Sequence, residues 1–347
     1  MNNSKQITIG DIAKKAGVSK GTVSAVLNEK KVVKRTTREN ILRIISELNY
    51  RPKGFARNLK YGNSEKSIGI IVKELNYPFF TSIAKGAREY ANSKGYSLVI
   101  ASSDYSSENE INITNLFLKK DIRGAIIAPI VEGNSEIEHL FKLKRLNYPF
   151  VLLADLKGIV ANVVEIDNIR AIKKAVEYLI KNGHKKIVHF AGPPESAHTK
   201  ERIDGFNNAF SESPLVFSKK MIVPIGAHNV LSYERTLKYF KYRKRKDYPT
   251  AIVCFNDLQA LAVMSALKEL NIKVPRDISI IGIDDIQYAE LYSVPLTTIR
   301  SPQKEIGQKA AEILIRNIES STPVPIERII LDTELIVRKS TRKLNVK

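Results

Sequence analysis

Between residues 8 and 28 runs a set of short hydroxyl, amide and basic side chains whose chemistry suits nucleic acid. Ser19, Lys20, Gly21, Thr22, Ser24, Ala25 and Asn28 fall on the outward face of one short helix. Hydroxyls and amides at such positions bond phosphate oxygens, a lysine donates to base edges, and an alanine methyl meets thymine. Thr8 followed three residues later by Asp11 forms a capping box, which starts a preceding helix. Gly17 stops that helix, Val18 fills the corner, and Val23, Val26 and Leu27 face back onto Ile12, Ala13 and Ala16. Two short helices joined by a tight turn, with a small polar outer face, fit a major groove.

A second set lies far downstream. Asp155, Asn256 and Asp284 each end an apolar run, and Arg202 follows a loop rich in Pro, Ser and His. Two carboxylates, an amide and a guanidinium bind a polyhydroxylated ligand through paired hydrogen bonds. Phe79 and Phe80, after the first such run, offer a flat apolar face to a sugar ring or a base. Asp257 and Asp285 read as structural neighbours that cap loops or helices. Catalysis on this cleft would need Asp155 and Asp284 as a dyad; sugar binding uses the same residues without chemistry. The sequence holds no G-x-S-x-G, no phosphate loop, no G-x-G-x-x-G and no cysteine pair for zinc. His184, His189 and His198 lie close in sequence, but His184 opens a strand and His189 lies inside it, so no metal is expected. No cofactor is expected either.

The elements that position these residues follow from periodicity. A third helix is expected from Thr36 or Thr37 through Leu48, its threonine cap replacing the unsuitable Lys34, with Ile41, Leu42, Ile45 and Leu48 on one face. Residues 49–66 are polar and basic and carry Pro52, Gly54 and Gly62, with a helix candidate at 55–60 too short to stand alone in water. From Ser67 onward strands alternate with helices. Nine strands are expected, at 68–72, 98–101, 125–129, 150–155, 163–166, 187–191, 222–225, 251–255 and 278–283. Most are continuous apolar runs, as in parallel sheets covered on both faces. The result is an α/β fold of two doubly wound lobes.

In order, the run D-I-A-x-x-A-G-V-S-x-x-T-V-S-x-V-L-N, Leu48-Asn49-Tyr50-Arg51-Pro52, Ala56-Arg57-Asn58-Leu59, Asp167-Asn168, Gly183-His184, Arg202 with Gly205-Phe206, Asn256-Asp257, Gly282-x-Asp284-Asp285 and Arg338-x-Ser340-Thr341 resemble the LacI/GalR family of transcriptional regulators. The resemblance implies an all-α helix-turn-helix domain at 1–48, a hinge helix within 49–62, and a periplasmic-binding-protein-like effector and dimerisation domain at 63–347. It places the first lobe at about 67–165 and 297–328 and the second at about 166–296 and 329–347, with crossings near Asp167, Thr297 and Arg328. It makes Lys20, Gly21 and Ala25 the base-reading positions, Leu59 a minor-groove wedge flanked by Arg57 and Lys60, and Arg202, Asn256 and Asp284 effector ligands. The partners implied are palindromic operator DNA, a small carbohydrate effector and a second copy, as dimer or tetramer.

Composition agrees. Residues 1–66 hold 15 Lys/Arg against 5 Asp/Glu, a net of +10, and the remaining 281 carry the other +10. The amino-terminal fifth is thus several times more basic per residue, as phosphate binding requires. Residues 238–246 form a second basic cluster, read as a solvated helix end with an extra contact to DNA or an acidic protein as the minority reading. Cys254, the sole cysteine, sits in an apolar run and excludes an internal disulfide. No apolar stretch is long enough to span a membrane and the start lacks a secretory core, so a cytoplasmic location is expected.

Overall fold

The structure, a computed structural model, describes residues 7–27, 33–48, 50, 66–130, 137–226 and 229–344. At its start Thr8 caps α1 (Ile9–Ala16): the Asp11 amide donates to Thr8 Oγ1 at 3.3 Å, and the Thr8 amide donates to Asp11 Oδ2 at 2.7 Å. Gly17 ends the helix at φ 67°, a left-handed conformation that costs glycine least. Ser19 then accepts from the Thr22 amide at 3.1 Å and starts α2 (Lys20–Leu27). The next helix, α3 (Arg35–Glu47), begins directly after Lys34, whose carbonyl accepts the Arg38 amide, so no threonine caps it. Ile12, Ala13, Val23, Val26, Ile41, Ile44, Ile45 and Tyr50 form one small core. Leu42 and Leu48, expected inside, are only half-buried, and Ile44 takes the interior position.

The rest is built on two six-stranded sheets. The first has the order β11-β5-β4-β3-β1-β2, from β1 (Lys66–Val72), β2 (Tyr96–Ser102), β3 (Ala125–Ile127), β4 (Phe150–Leu152), β5 (Asn162–Ile166) and β11 (Arg328–Leu331). The second has the order β12-β10-β9-β8-β6-β7, from β6 (Ile187–Ala191), β7 (Ile222–Pro224), β8 (Ala251–Cys254), β9 (Ser279–Asp284), β10 (Thr297–Arg300) and β12 (Glu334–Ile336). All pairings are parallel except that of β12 with β10. Each sheet is covered on both faces, which is why its inner strands are apolar throughout. One core lies under α4 (Pro78–Ser93) and α12 (Gln303–Glu319), another between the same sheet and α5 (Ser107–Lys119) with α6 (Glu138–Arg145). In the second lobe α7 (Asn168–Lys181) and α8 (Ala197–Ser211) cover one face, while α9 (Asn229–Lys241), α10 (Asp257–Glu269) and the short α11 (Gln287–Leu291) cover the other.

All nine expected strands are present. Three others, β10, β11 and β12, were not expected. With them the sheets exchange the chain around Asp167, at Ser301–Pro302 and at Asp332–Thr333, the last two each four residues past the expected Thr297 and Arg328. β10 belongs to the second sheet because Thr297 and Thr298 are buried there by specific bonds: the Thr297 amide donates to Ser340 Oγ at 2.7 Å and Thr298 Oγ1 to Asp257 Oδ1 at 2.6 Å.

Candidate functional site

On the three-helix unit, Ser19, Lys20 and Gly21 are exposed, and Thr8, Thr22, Ser24 and Ala25 are half-buried at the surface. Ser19, Gly21, Thr22 and Ala25 line one shallow groove with Val33, Lys34 and Thr37 of the α3 approach. The Thr8 hydroxyl is committed to Asp11 Oδ2 at 2.6 Å, and the Ser19 and Thr22 hydroxyls lie 2.9 Å apart. The Lys20 stem lies along the first turn of α1, close enough that a Cβ on Gly10 would stand 3.2 Å from its Cε. Asn28, Arg57, Leu59 and Lys60 lie outside the described residues, as does the expected hinge helix.

The larger site is a cleft between the lobes. Both sheets point the carboxyl ends of their strands into it, the usual place for ligands in doubly wound folds. Lys73 follows β1, Ala128 follows β3, Glu165 and Ile166 end β5, Phe255 and Asn256 follow β8, and Asp284 ends β9. Phe79 and Phe80, at the start of α4, line it together with Tyr77. Tyr77 stacks on Phe79 at 5.8 Å and meets Phe80 edge-on, and Phe79 meets Phe80 edge-on at 5.2 Å.

Across from these rings stands a buried polar cluster. Arg202, in the first turns of α8, lies over the Phe255 ring at 4.4 Å, donates from Nη1 to the Phe255 carbonyl and from Nε to Asn168 Oδ1 at 3.0 Å. Asn168 Nδ2 in turn donates to Glu201 Oε2 at 2.9 Å. Asp284 accepts from the Tyr77 hydroxyl across the cleft and from Ser301 Oγ at 3.4 Å. Its backbone sits at φ 116°, a conformation that is strained for a residue with a Cβ and that collects at functional sites. Burial lifts the Asp284 carboxyl to about 6, against the pull of Arg202, Tyr77 and Ser301. Asp257 beneath it is raised well above the usual carboxylate range by burial and then by Asp284, consistent with a structural part. Gly282 makes room for it, since a Cβ there would lie 2.1 Å from Asp257 Oδ1. Asp285 pairs with Arg300 and Arg338 at 2.7 Å each, away from the cleft.

Five of the six expected effector residues, Phe79, Phe80, Arg202, Asn256 and Asp284, therefore meet in one cleft. Asn256 spends its Oδ1 capping α10, where Gln259 N donates at 2.8 Å, and keeps its amide nitrogen for the cleft. The sixth does not join them. β4 stops at Leu152, so the chain has turned by Asp155, whose carboxylate is nearly half exposed and pairs with Arg328 at 3.2 Å. Glu165 takes its place: it is buried in the lining, accepts Arg328 at 2.8 Å and receives the Asp155 amide at 3.1 Å. A dyad of Asp155 with Asp284 is thereby excluded. Tyr77, Lys73, Asn168, Glu165 and Phe255 also line the cleft, none of them an expected effector residue, as does His198, weighed in the sequence only with the metal question. Tyr77 stood beside the phenylalanines, and Asn168 stood within the resemblance; Glu165 and Phe255 gave no signal beyond strand membership. His184 and His189 point elsewhere, to Thr250 and the Arg342 carbonyl and to the Val253 carbonyl respectively. Among the described residues no group of three or more His, Cys, Asp or Glu could hold a metal, and no helix is long and apolar enough to cross a membrane.

Known proteins share both parts. Residues 8–53 match the family described as bacterial regulatory proteins, lacI family, and residues 176–341 match a periplasmic binding protein-like domain. The HTH-type transcriptional repressor PurR of Vibrio vulnificus (strain CMCP6) is 33% identical over 345 residues, covering 97% of this chain and 99% of that protein. Among solved structures, the complex of the transcriptional regulator CelR with cellobiose is 25% identical, covers 96% of this chain and 100% of its own, and superposes with a TM-score of 0.71. A lac repressor dimer bound to operator and the anti-inducer ONPF is also 25% identical, covers 97% and 100%, and gives 0.70. The chain belongs to the LacI family of transcriptional repressors, with a helix-turn-helix domain followed by a periplasmic-binding-protein-like domain.

Proposed function

We propose that this repressor holds a palindromic operator as a homodimer and that a sugar-sized, polyhydroxylated metabolite in the interlobe cleft sets its affinity for that operator. Lys20 is the principal hydrogen-bonding base reader. Gly21 has no side chain to read with, and Ala25 offers only a methyl. Thr8, Ser19, Thr22, Ser24 and Asn28 anchor phosphates, and Leu59, with Arg57 and Lys60 beside it, wedges into the operator centre. The effector sits on the Phe79 ring and bonds Arg202, Asn256 and Asp284.

The observation that carries this reading is the division of the cleft between lobes. The rings of Tyr77, Phe79 and Phe80 belong to the first lobe and the buried Arg202 guanidinium, on the Phe255 ring, and Asp284 carboxylate to the second, and the Tyr77–Asp284 hydrogen bond spans the gap. A ligand that touches both walls favours one lobe angle over another, which is how binding becomes a change in operator affinity. The cellobiose complex of a structural neighbour supports a sugar. A second reading, a planar heterocyclic base such as a purine, is favoured by the five rings Tyr77, Phe79, Phe80, Tyr105 and Phe255 in the lining. Calorimetric titration with pentoses, hexoses, disaccharides and purine bases separates the two. A sugar that binds wild type but not Asp284→Asn, and that changes the amount of operator bound, is the expected result. Binding of purines alone would replace the sugar by the base, and heat without any change in operator binding would remove the regulatory role.

A further inference from the structure

The second lobe carries a strongly basic face that the cleft and the helix-turn-helix do not use. In a doubly wound lobe the strands start, and the helices end, on the side opposite the ligand cleft. Here β6, β8 and β9 begin on that side and α7, α9 and α10 finish there. Segments 181–186, 238–247, 268–277 and 342–343 meet on it and carry 14 Lys/Arg against 3 Asp/Glu, a net of +11. Residues 67–347 as a whole carry only +10, so this one face holds all of that region's positive excess.

The segments are joined by short bonds. Lys186 Nζ donates to the Lys246 carbonyl at 2.9 Å, and His184 bridges Thr250 and the Arg342 carbonyl at 3.0 Å each. Asp277 is held below its usual range by the Lys273 amide and by Arg276, with Arg245 close enough to contribute. Residues 241–247 are all exposed. Among the described residues a single one of the 14 cations, Arg276, stands in an ion pair, with Asp277. Lys181, Lys238, Lys241 and Lys268 sit at helix ends, where the helix dipole alone favours a cation. The cations at 185–186, 243–246, 273–276 and 342–343 lie outside those last turns, so the dipole does not account for them. Like charges packed this closely repel one another and are relieved by a bound polyanion.

We propose that this face binds the phosphate backbone of a second DNA duplex, so that the protein bridges two DNA segments. A phosphate lattice asks for cations and no pocket, which fits a face whose one exposed large hydrophobic is Tyr242. A protein partner would call for an apolar, aromatic core to its interface. The placement also fits. The DNA-reading unit joins the first lobe at the start of β1, beyond the cleft from the basic face, so the two sit at opposite poles. A duplex held at one pole brings its own distant segments to the other at high effective concentration.

The test uses the full chain with two sets of short mixed-sequence duplexes, one carrying a donor dye and the other an acceptor. Wild type should bring the two together as energy transfer, while R243E/K244E/R245E/K246E should retain binding of a single duplex and lose bridging by about ten-fold or more. Salt dependence of the bridged state should flatten by about 0.9 in log–log slope for each phosphate contact removed. K185E/K186E, at exposed positions of another segment on the same face, should weaken bridging in the same direction, and circular dichroism should show both variants folded. Undiminished bridging by both folded variants would overturn the proposal. Capture of polyglutamate without capture of a second duplex would do so too, assigning the face to an acidic protein instead.

Discussion

Asp284 titrates in a way that an isosteric substitution can isolate. Its carboxyl rises from the ordinary 3.8 to about 6 in the folded protein, with burial the largest cause. A carboxylate with a raised folded pKa favours the native state when protonated, so its contribution is fully present below the unfolded value and is lost as pH rises through the folded one. Moving from 3.8 to about 6 corresponds to about 3 kcal/mol, spread over that pH window. Asp284→Asn removes the titration while keeping the shape. Its other effects include a buried Arg202 left with less counter-charge and an Asp257 carboxyl no longer held up by Asp284, so Asp257→Asn, alone and combined with Asp284→Asn, is measured alongside to subtract the coupled titration.

The quantity to measure is therefore the difference between wild-type and Asp284→Asn unfolding free energies, from urea denaturation followed by circular dichroism, at intervals from about pH 3.5 to 7.5. Wild type should lose about 3 kcal/mol relative to the variant between the ends of that range, and the difference should level off above pH 7. A difference that stays constant with pH would show that Asp284 does not titrate there, and a gain for wild type would reverse the sign of its environment. The same variant should bind operator about as well as wild type while failing to respond to effector. A ligand that bonds the ionised carboxylate should itself bind more tightly as pH rises through 6.

Replacing Lys20 with Ala should cost about 1–3 kcal/mol at one base pair of each operator half-site, read by competition among operator variants; an equal loss on every sequence would make Lys20 a phosphate contact. Thr22→Ala or Ser24→Ala should weaken operator and random duplex alike, and a changed sequence preference would contradict their anchoring role. Leu59→Ala should keep dimerisation and thermal stability while losing most operator affinity and most of the DNA bend; lower thermal stability with the bend retained would place that leucine in protein packing instead. Gly282→Ala should destabilise the effector domain by about 1–3 kcal/mol, because its new Cβ meets the buried Asp257 carboxylate at 2.1 Å, and an unchanged melting temperature would show that Asp257 can move aside.

What the sequence disclosed, and what it hid, divides along a physical line. Thr8 with Asp11, Gly17 and Ser19 act within three or four residues of themselves, so their caps and the turn between α1 and α2 could be read locally and are present as read. The inner strands could be read because burial on both faces forces unbroken apolar runs. β11 and β12 lack that signature: each is partly exposed, and each is held by pairing with β5 or β10 from far along the chain. The same distinction explains the cleft. Arg202, Asn256 and Asp284 end or follow strands of one sheet, so the fold delivers them together once the strands are placed. Asp155 also follows a strand, but its fate rests on where β4 stops and on Arg328, 173 positions away, which draws it to the rim. Tyr77 depends on something more remote still. Its hydroxyl reaches Asp284, 207 residues on, across the gap between the lobes. No local pattern encodes a lobe angle. The side-chain bond that joins the two walls of the cleft is thus the one a reading of adjacent residues is least able to find.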